Sequence, residues 1–396
     1  MRFSSILTLA LAVTCEGAWK TDYPFYAETL AGVVGARGLY VDETGDILVV
    51  SKISSSITVI YNRPNGTVAQ EILVTGSGLN HGISYSYGSL YASSSTTVYR
   101  WPYTPGQRSP ITAPAETVIS NIPDGYHVTR TLVFDNEGRL LVSVGSSSNV
   151  DGNSDRARIR RFSLSGSLPK MFSTGEVFAD GLRNEVGLTL HPCGVVYGVE
   201  NGVDNLDRAD LGGDIHNENP AEEMNRFDQA PGRHYGYPYC FSTYNLTGYP
   251  PGSQLAHPDF LNDGVHSDEF CQAVEYNIPP ILAMPSHAAP LGIEFFRGQN
   301  CDSDGAFPCN MIEDAVVAFH GSWNRDIKRG YRVAWIPFNE TTGNPTGELI
   351  DIIYEEDLSD CSTCFQPVNA VFGLDGCLYV SCDTLGEIIR IYYIGA

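Results

Sequence analysis

Residues 181–203 read GLRNEVGLTLHPCGVVYGVENGV. Two apolar runs, Val186 to Leu190 and Val195 to Val199, flank a turn at Pro192, Cys193 and Gly194, a pattern that predicts a β-hairpin. The start of its first strand and the end of its second meet at the edge away from the turn. Arg183 and Asn184 stand at that edge on one side, and Glu200, Asn201, Gly202 and Val203 on the other. One hairpin therefore carries a cation, an amide, a carboxylate and two backbone carbonyls to one place.

The same unit recurs along the chain. It is GLYVDETGDILVVS from Gly38, GISYSYGSLYASS from Gly82, TLVFDNEGRLLVSVG from Thr131, GLTLHPCGVVYGVENG from Gly187, GIEFFRG followed by AVVAFHG from Gly292, and AVFGLDGCLYVSCD from Ala370. The first four copies start about 45 to 55 residues apart, the spacing of propeller blades of four short strands. Further strands such as SITVIYNR from Ser56, RIRRFSL from Arg158 and EIIRIYYI from Glu387 are expected to lie outside each hairpin. Helical periodicity is absent. The sequence predicts an all-β, six-bladed β-propeller with long loops on one face, forming a single domain over residues 18–396.

Lys and Arg number 24 against 46 Asp and Glu, a formal charge of −22, which argues against nucleic acid or an anionic membrane surface as partner. Arg2, the apolar run from Ile6 to Val13 and small residues at Gly17 and Ala18 read as a signal peptide over residues 1–17, hence a secreted, extracellular protein. Sequons at Asn65, Asn245 and Asn339 fit glycosylation in that compartment. Cys15 leaves with the leader, so an odd set of nine cysteines remains. Proximity and loop context pair Cys240 with Cys271, Cys301 with Cys309 and Cys361 with Cys364; Cys193, Cys377 and Cys382 fall in strands or hairpin turns. Asp210 to Asn225, DLGGDIHNENPAEEMN, reads as a solvated acidic loop.

The innermost strands of a propeller run in one direction, so residues that lead into them line one mouth of the central channel. His81, His127, Arg183 and His287 hold that position, and HGSWNRDIKR, residues 320–329, leaves the second strand of the fifth unit. Such a ring of His, Arg and Lys in an acidic protein predicts a pocket for an anion carrying carboxylates or phosphates. There is no nucleotide-binding Gly-rich loop after a strand and no Ser-centred nucleophile elbow.

Tyr126-His127 ahead of Phe134, Gly181-Leu-Arg-Asn184 leading into Gly187, Glu200-Asn-Gly202 and His320-Gly-Ser-Trp-Asn-Arg325 together resemble the soluble quinoprotein glucose and sorbosone dehydrogenases. Within these, the chain is most similar to the fungal secreted pyranose dehydrogenases of auxiliary activity family 12. The resemblance implies pyrroloquinoline quinone (PQQ) and calcium as cofactors, and an oxidoreductase that moves a hydride from a pyranose sugar such as L-fucose or 2-keto-glucose to the quinone. It implies His127 as general base and Arg183 as a catalytic cation over the quinone. Asn184, His287, Trp323, and Arg325 or Lys328 would contact the cofactor, Gly202 and Val203 would give calcium their carbonyls, and His81 would touch the sugar. It also implies an external electron acceptor, a cytochrome or a secreted copper oxygenase. Gln366-Pro367 stands where relatives show Arg-Pro, and Asn369 where an Asp is common. That departure keeps a second reading open, a propeller without cofactor that binds carbohydrate or protein. A calcium-dependent lactonase would require carboxylates lining the channel, where the residues singled out are His and cations.

Overall fold

The computed structural model describes residues 19–153 and 155–395. The expected leader, residues 1–17, lies outside them. Six sheets of at least four strands, antiparallel except for a short parallel fifth strand at the outer edge of the second and third, make the predicted six blades. Blade one is Ala36–Val41, Ile47–Ser51, Ser56–Asn62 and Val68–Thr75. The remaining blades begin with the innermost strands Ile83–Ser86, Leu132–Phe134, Glu185–Leu190, Pro290–Phe295 and Pro367–Phe372. Their second strands include ILVVS, LLVSV, AVVAF and LYVSC, every residue of which is buried. Such runs, apolar on both faces, form a strand covered by a blade on either side.

The core is divided accordingly. One apolar cluster fills each gap between neighbouring blades, from Leu48, Ile57, Leu90 and Trp101 between the first and second to Ala36, Ile47, Tyr379 and Ile388 between the sixth and first. Closure is made by the N-terminus. Phe25–Gly32 pairs antiparallel with Glu387–Tyr393, Phe25 opposite Tyr393, as the fourth strand of the sixth blade. This joins the two chain ends and covers an edge that would otherwise expose unpaired backbone. EIIRIYYI is thus a third strand with an N-terminal neighbour, which no local pattern announces.

The fourth blade differs from expectation. Its third strand is Glu222–Phe227, which begins inside the stretch read as a solvated loop, and Glu222, Glu223 and Asn225 are buried. The two adjacent carboxylates of EEMNRF disguise a strand whose polar groups are used internally. The excursion that follows, residues 228–281, is fastened by Cys240–Cys271; Cys301–Cys309 and Cys361–Cys364 also pair as expected, and Cys193, Cys377 and Cys382 are free. The three sequon asparagines are exposed.

Near the hub the inner strands press backbone against backbone. A Cβ on Gly38 would stand 2.0 Å from the His81 carbonyl oxygen, and one on Gly82 2.1 Å from that of Arg130. These glycines open the repeats read in the sequence. Replacing Gly38 with Ala is therefore expected to force neighbouring inner strands apart at a cost of about 1–3 kcal/mol in chemical denaturation. Gly152→Ala, where nothing among the described residues lies within 4 Å, should stay within about 0.5 kcal/mol of wild type.

Candidate active site

The lead-ins to the inner strands and the ends of the second strands share one mouth, and polar contacts join them from blade to blade. Asp383 accepts from Arg37 Nη1 at 2.7 Å and lies 2.9 Å from His320 Nε2, while Arg37 Nε reaches His81 Nδ1 at 3.4 Å. Asn80 donates to the Val128 carbonyl at 2.9 Å, which carries the chain of contacts to the segment of His127. Ser146 N–H donates to the Arg183 carbonyl at 2.7 Å, and Asn201 Nδ2 to the Pro290 carbonyl at 2.7 Å. The belt closes around all six blades.

His127, expected from the sequence as the base, is half-exposed at this mouth. Its Nδ1 lies 2.9 Å from the Ser146 carbonyl oxygen. A carbonyl only accepts, so Nδ1 carries the proton and Nε2 keeps a free lone pair. Burial, then the nearby Arg183 charge, lower its pKa to about 4, well under the unperturbed value of about 6.5 expected from sequence. The ring is neutral at neutral pH but a weaker base than anticipated.

Arg183 is 5% exposed, and its Nη2 contacts Asp204 Oδ2 at 2.6 Å and Asn149 Oδ1 at 3.1 Å. Its backbone N–H donates to Glu200. Asn184 donates to Asn201 Oδ1 at 3.2 Å, with its own Oδ1 beside His127 around Gly145. His127, Arg183 and Asn184 therefore converge, as expected of residues that lead into neighbouring inner strands.

His287 and His81 are enclosed instead of open to the mouth. His287 Nε2 is 2.7 Å from the His216 carbonyl and its Nδ1 3.7 Å from Asp204. His81, 1% exposed, has a pKa pushed far down by burial and by Arg37, and stands at one end of an axial cavity of about 410 Å³ that runs to Arg297 and Gln299. That cavity is lined by all six inner strands and leads away from His127 and Arg183. Of the two cations offered for a cofactor carboxylate, Arg325 is spent: its buried guanidinium contacts Glu218 and the Asn217 carbonyl. Lys328 has no ion pair among the described residues, and Trp323 is 70% exposed.

The Gly202–Val203 turn is held by a carboxylate that sequence reasoning passed over. Glu222 Oε2 accepts the Gly202 N–H at 2.8 Å and Oε1 the Ala289 N–H at 3.1 Å, so one buried side chain ties the turn to the segment after His287. Burial raises its pKa to about 7 against the pull of those two hydrogen bonds. The carbonyls of Gly202 and Val203 accept no hydrogen bond among the described residues. Two free carbonyl oxygens suit a hard cation. Arg37, Asn149, Asp204, Glu222 and Asp383 were all missed; the ends of the second strands and the fourth blade's third strand were the places to look.

A family model described as TrAA12-like matches residues 20–393. The pyrroloquinoline quinone-dependent pyranose dehydrogenase of Coprinopsis cinerea is 30% identical over 423 residues, 96% of this chain and 56% of that relative. The chain thus spans about half the length of the first curated relatives it matches. The pyrroloquinoline quinone-dependent sugar dehydrogenase of Hypocrea jecorina is 30% identical over 410 residues, covering 96% of this chain and 90% of its own. A calcium structure of Trichoderma reesei family AA12 superposes with a TM-score of 0.83 at 28% identity, over 95% of this chain and 97% of the other. With its six blades, its hairpin-borne mouth and a match from residue 20 to residue 393, this chain belongs to the TrAA12-like family.

Proposed function

We propose that the protein is a secreted sugar dehydrogenase that oxidises a pyranose, such as L-fucose or 2-keto-glucose, with PQQ and calcium. The observation that carries the reading is the tautomer of His127: Nδ1 is fixed on the Ser146 carbonyl, which leaves Nε2 to take the proton of a sugar hydroxyl beside the Arg183 guanidinium. PQQ, when bound, supplies the acceptor for the hydride that leaves the same carbon. The chain's groups fit such a ligand. Gly202 and Val203 offer unpaired carbonyls to calcium, and Lys328 offers an uncommitted ammonium to a cofactor carboxylate.

Arg183 keeps positive charge next to the base and, with Asn184, lines the cofactor side. His287 acts through Asp204, and His81 through Arg37, as groups that hold the cations in place. The exposed rings of Trp323 and Tyr126 give the sugar apolar faces to pack on. Electrons then pass to an external acceptor, for which a cytochrome or a copper oxygenase is the expected class.

Gln366 favours the reading without cofactor, because losing an arginine there removes a charge-assisted hydrogen bond of about 1.5–3 kcal/mol. Its side-chain oxygen is occupied by the Thr384 hydroxyl. Calorimetric titration with PQQ separates the two readings: saturable binding in calcium is expected, and none even at millimolar calcium would overturn the dehydrogenase.

His127→Ala is expected to lower kcat by about 10²- to 10⁴-fold in a dye-coupled assay while PQQ binding persists. Full activity in that variant would remove the base. In the wild type, kcat/KM should rise with pH through about 4 and be level by 6.5, since the folded imidazole loses its proton at about 4. Between these values the unfolded imidazole binds a proton that the folded one refuses, so stability should fall as the pH is lowered through that window. Glu222→Gln keeps one acceptor where two N–H groups need one each, and is expected to weaken calcium binding by about tenfold or more in calorimetry without PQQ.

A further inference from the structure

The excursion of residues 228–281 presents a pocket of about 330 Å³ that the oxidation chemistry does not use. That volume lies at the low end for small-ligand sites. Its wall is built of stacked rings. Tyr239 lies over His266 with centroids 4.0 Å apart and planes within 5°, and Phe270 over Tyr276 at 4.7 Å and 4°.

Tyr276 is 50% exposed, with one face backed by Phe270. Val274, two residues before it, is 62% exposed, so the two side chains leave an apolar face to water in a segment pinned by Cys240–Cys271. Stacking fixes the ring's orientation, so a ligand that lies on it orders little that is not already ordered.

Polar groups stand around this platform. Glu275 is exposed and makes neither an ion pair nor a side-chain hydrogen bond among the described residues. Arg233 donates to the Val274 carbonyl and has further N–H groups to give. An aromatic face beside a free carboxylate and a guanidinium matches a pyranose ring: C–H face against the aromatic ring, hydroxyls in the plane of the charged groups. Arg233 is the one Lys or Arg in the pocket lining, and the protein carries a charge of −22, which disfavours acidic polysaccharides. One wall of the pocket lies against the segment that leads to Arg183. The His234 ring lies against Gly181, where an added Cβ would come within 2.4 Å of it, and Gly181 is two residues ahead of Arg183.

From this juxtaposition we infer that the Phe270–Tyr276 platform, with Glu275 and Arg233, is a second carbohydrate site that holds a neutral polysaccharide chain on the flank of the propeller. It goes beyond the reading of His127 as the base and stands without it.

The test is affinity gel electrophoresis of the cofactor-free protein in gels containing hydroxyethyl cellulose or galactomannan. Wild type should be retarded by at least one of them. Tyr276→Ala should bind about fivefold more weakly or worse, Tyr276→Phe should keep binding, and Glu275→Gln should fall between. Tyr276→Phe and Glu275→Gln should unfold at the wild-type midpoint, and Tyr276→Ala, which loses its stack on Phe270, somewhat below it but still in one cooperative transition. Unretarded wild type in both gels, or a Tyr276→Ala variant retarded as strongly as wild type, overturns the site. Because no PQQ is present, that failure leaves the dehydrogenase reading intact, and loss of sugar oxidation with normal retardation would sink only the latter.

Discussion

Backbone contact between neighbouring inner strands is the constraint on which the rest of this structure hangs. Where Gly38 meets the His81 carbonyl and Gly82 meets that of Arg130, a side chain has no room, so adjacent blades approach as closely as main chains allow. Close approach at the hub brings six lead-in segments into one mouth. It also lets side chains from one blade reach partners on the next, as Arg37 reaches both His81 and Asp383. The site is in this sense a product of packing at the axis.

Electrostatics at that mouth follow from burial. Cations gathered there would repel one another, and three of them have a carboxylate: Arg37 has Asp383, Arg183 has Asp204 and Arg325 has Glu218, while buried Arg130 is met by the carbonyls of Pro123, His127 and Thr129. Asp383 illustrates the balance. Burial alone would raise its pKa, yet the hydrogen bond from His320 and the charges of His320 and Arg37 hold it at about 2. These pairs fix geometry and leave little net charge to attract a ligand. His127 is different, because burial, and after it the charges of Arg183 and Arg130, disfavour a second proton and so keep it a neutral acceptor.

The fourth blade shows how far local pattern reaches. GLTLHPCGVVYGVE has the alternation, the turn and the length of a hairpin, and the observed strands, Glu185–Leu190 and Val196–Glu200, differ from expectation by one residue at the start of the first and at both ends of the second. The blade's third strand, by contrast, carries three polar residues that are buried because they serve the turn and the neighbouring chain; charge was read as solvation, and tertiary partners reversed it. The three disulfides were legible because each closes a short or self-contained loop.

By itself, the sequence determined the number of blades, the strands of each hairpin and which residues lead into the inner strands, because these are set by periodicity and spacing along the chain. Only the tertiary structure decided that Phe25–Gly32 would close the sixth blade, that Glu222 would bridge Gly202 and Ala289, and that Arg325 would be consumed by Glu218 while Lys328 stayed uncommitted. Each of these depends on residues from about 20 to more than 350 positions apart meeting in space. Which partner a charged or unpaired group finds there depends on who its neighbours are once the ring has closed, and separation in sequence carries no record of that.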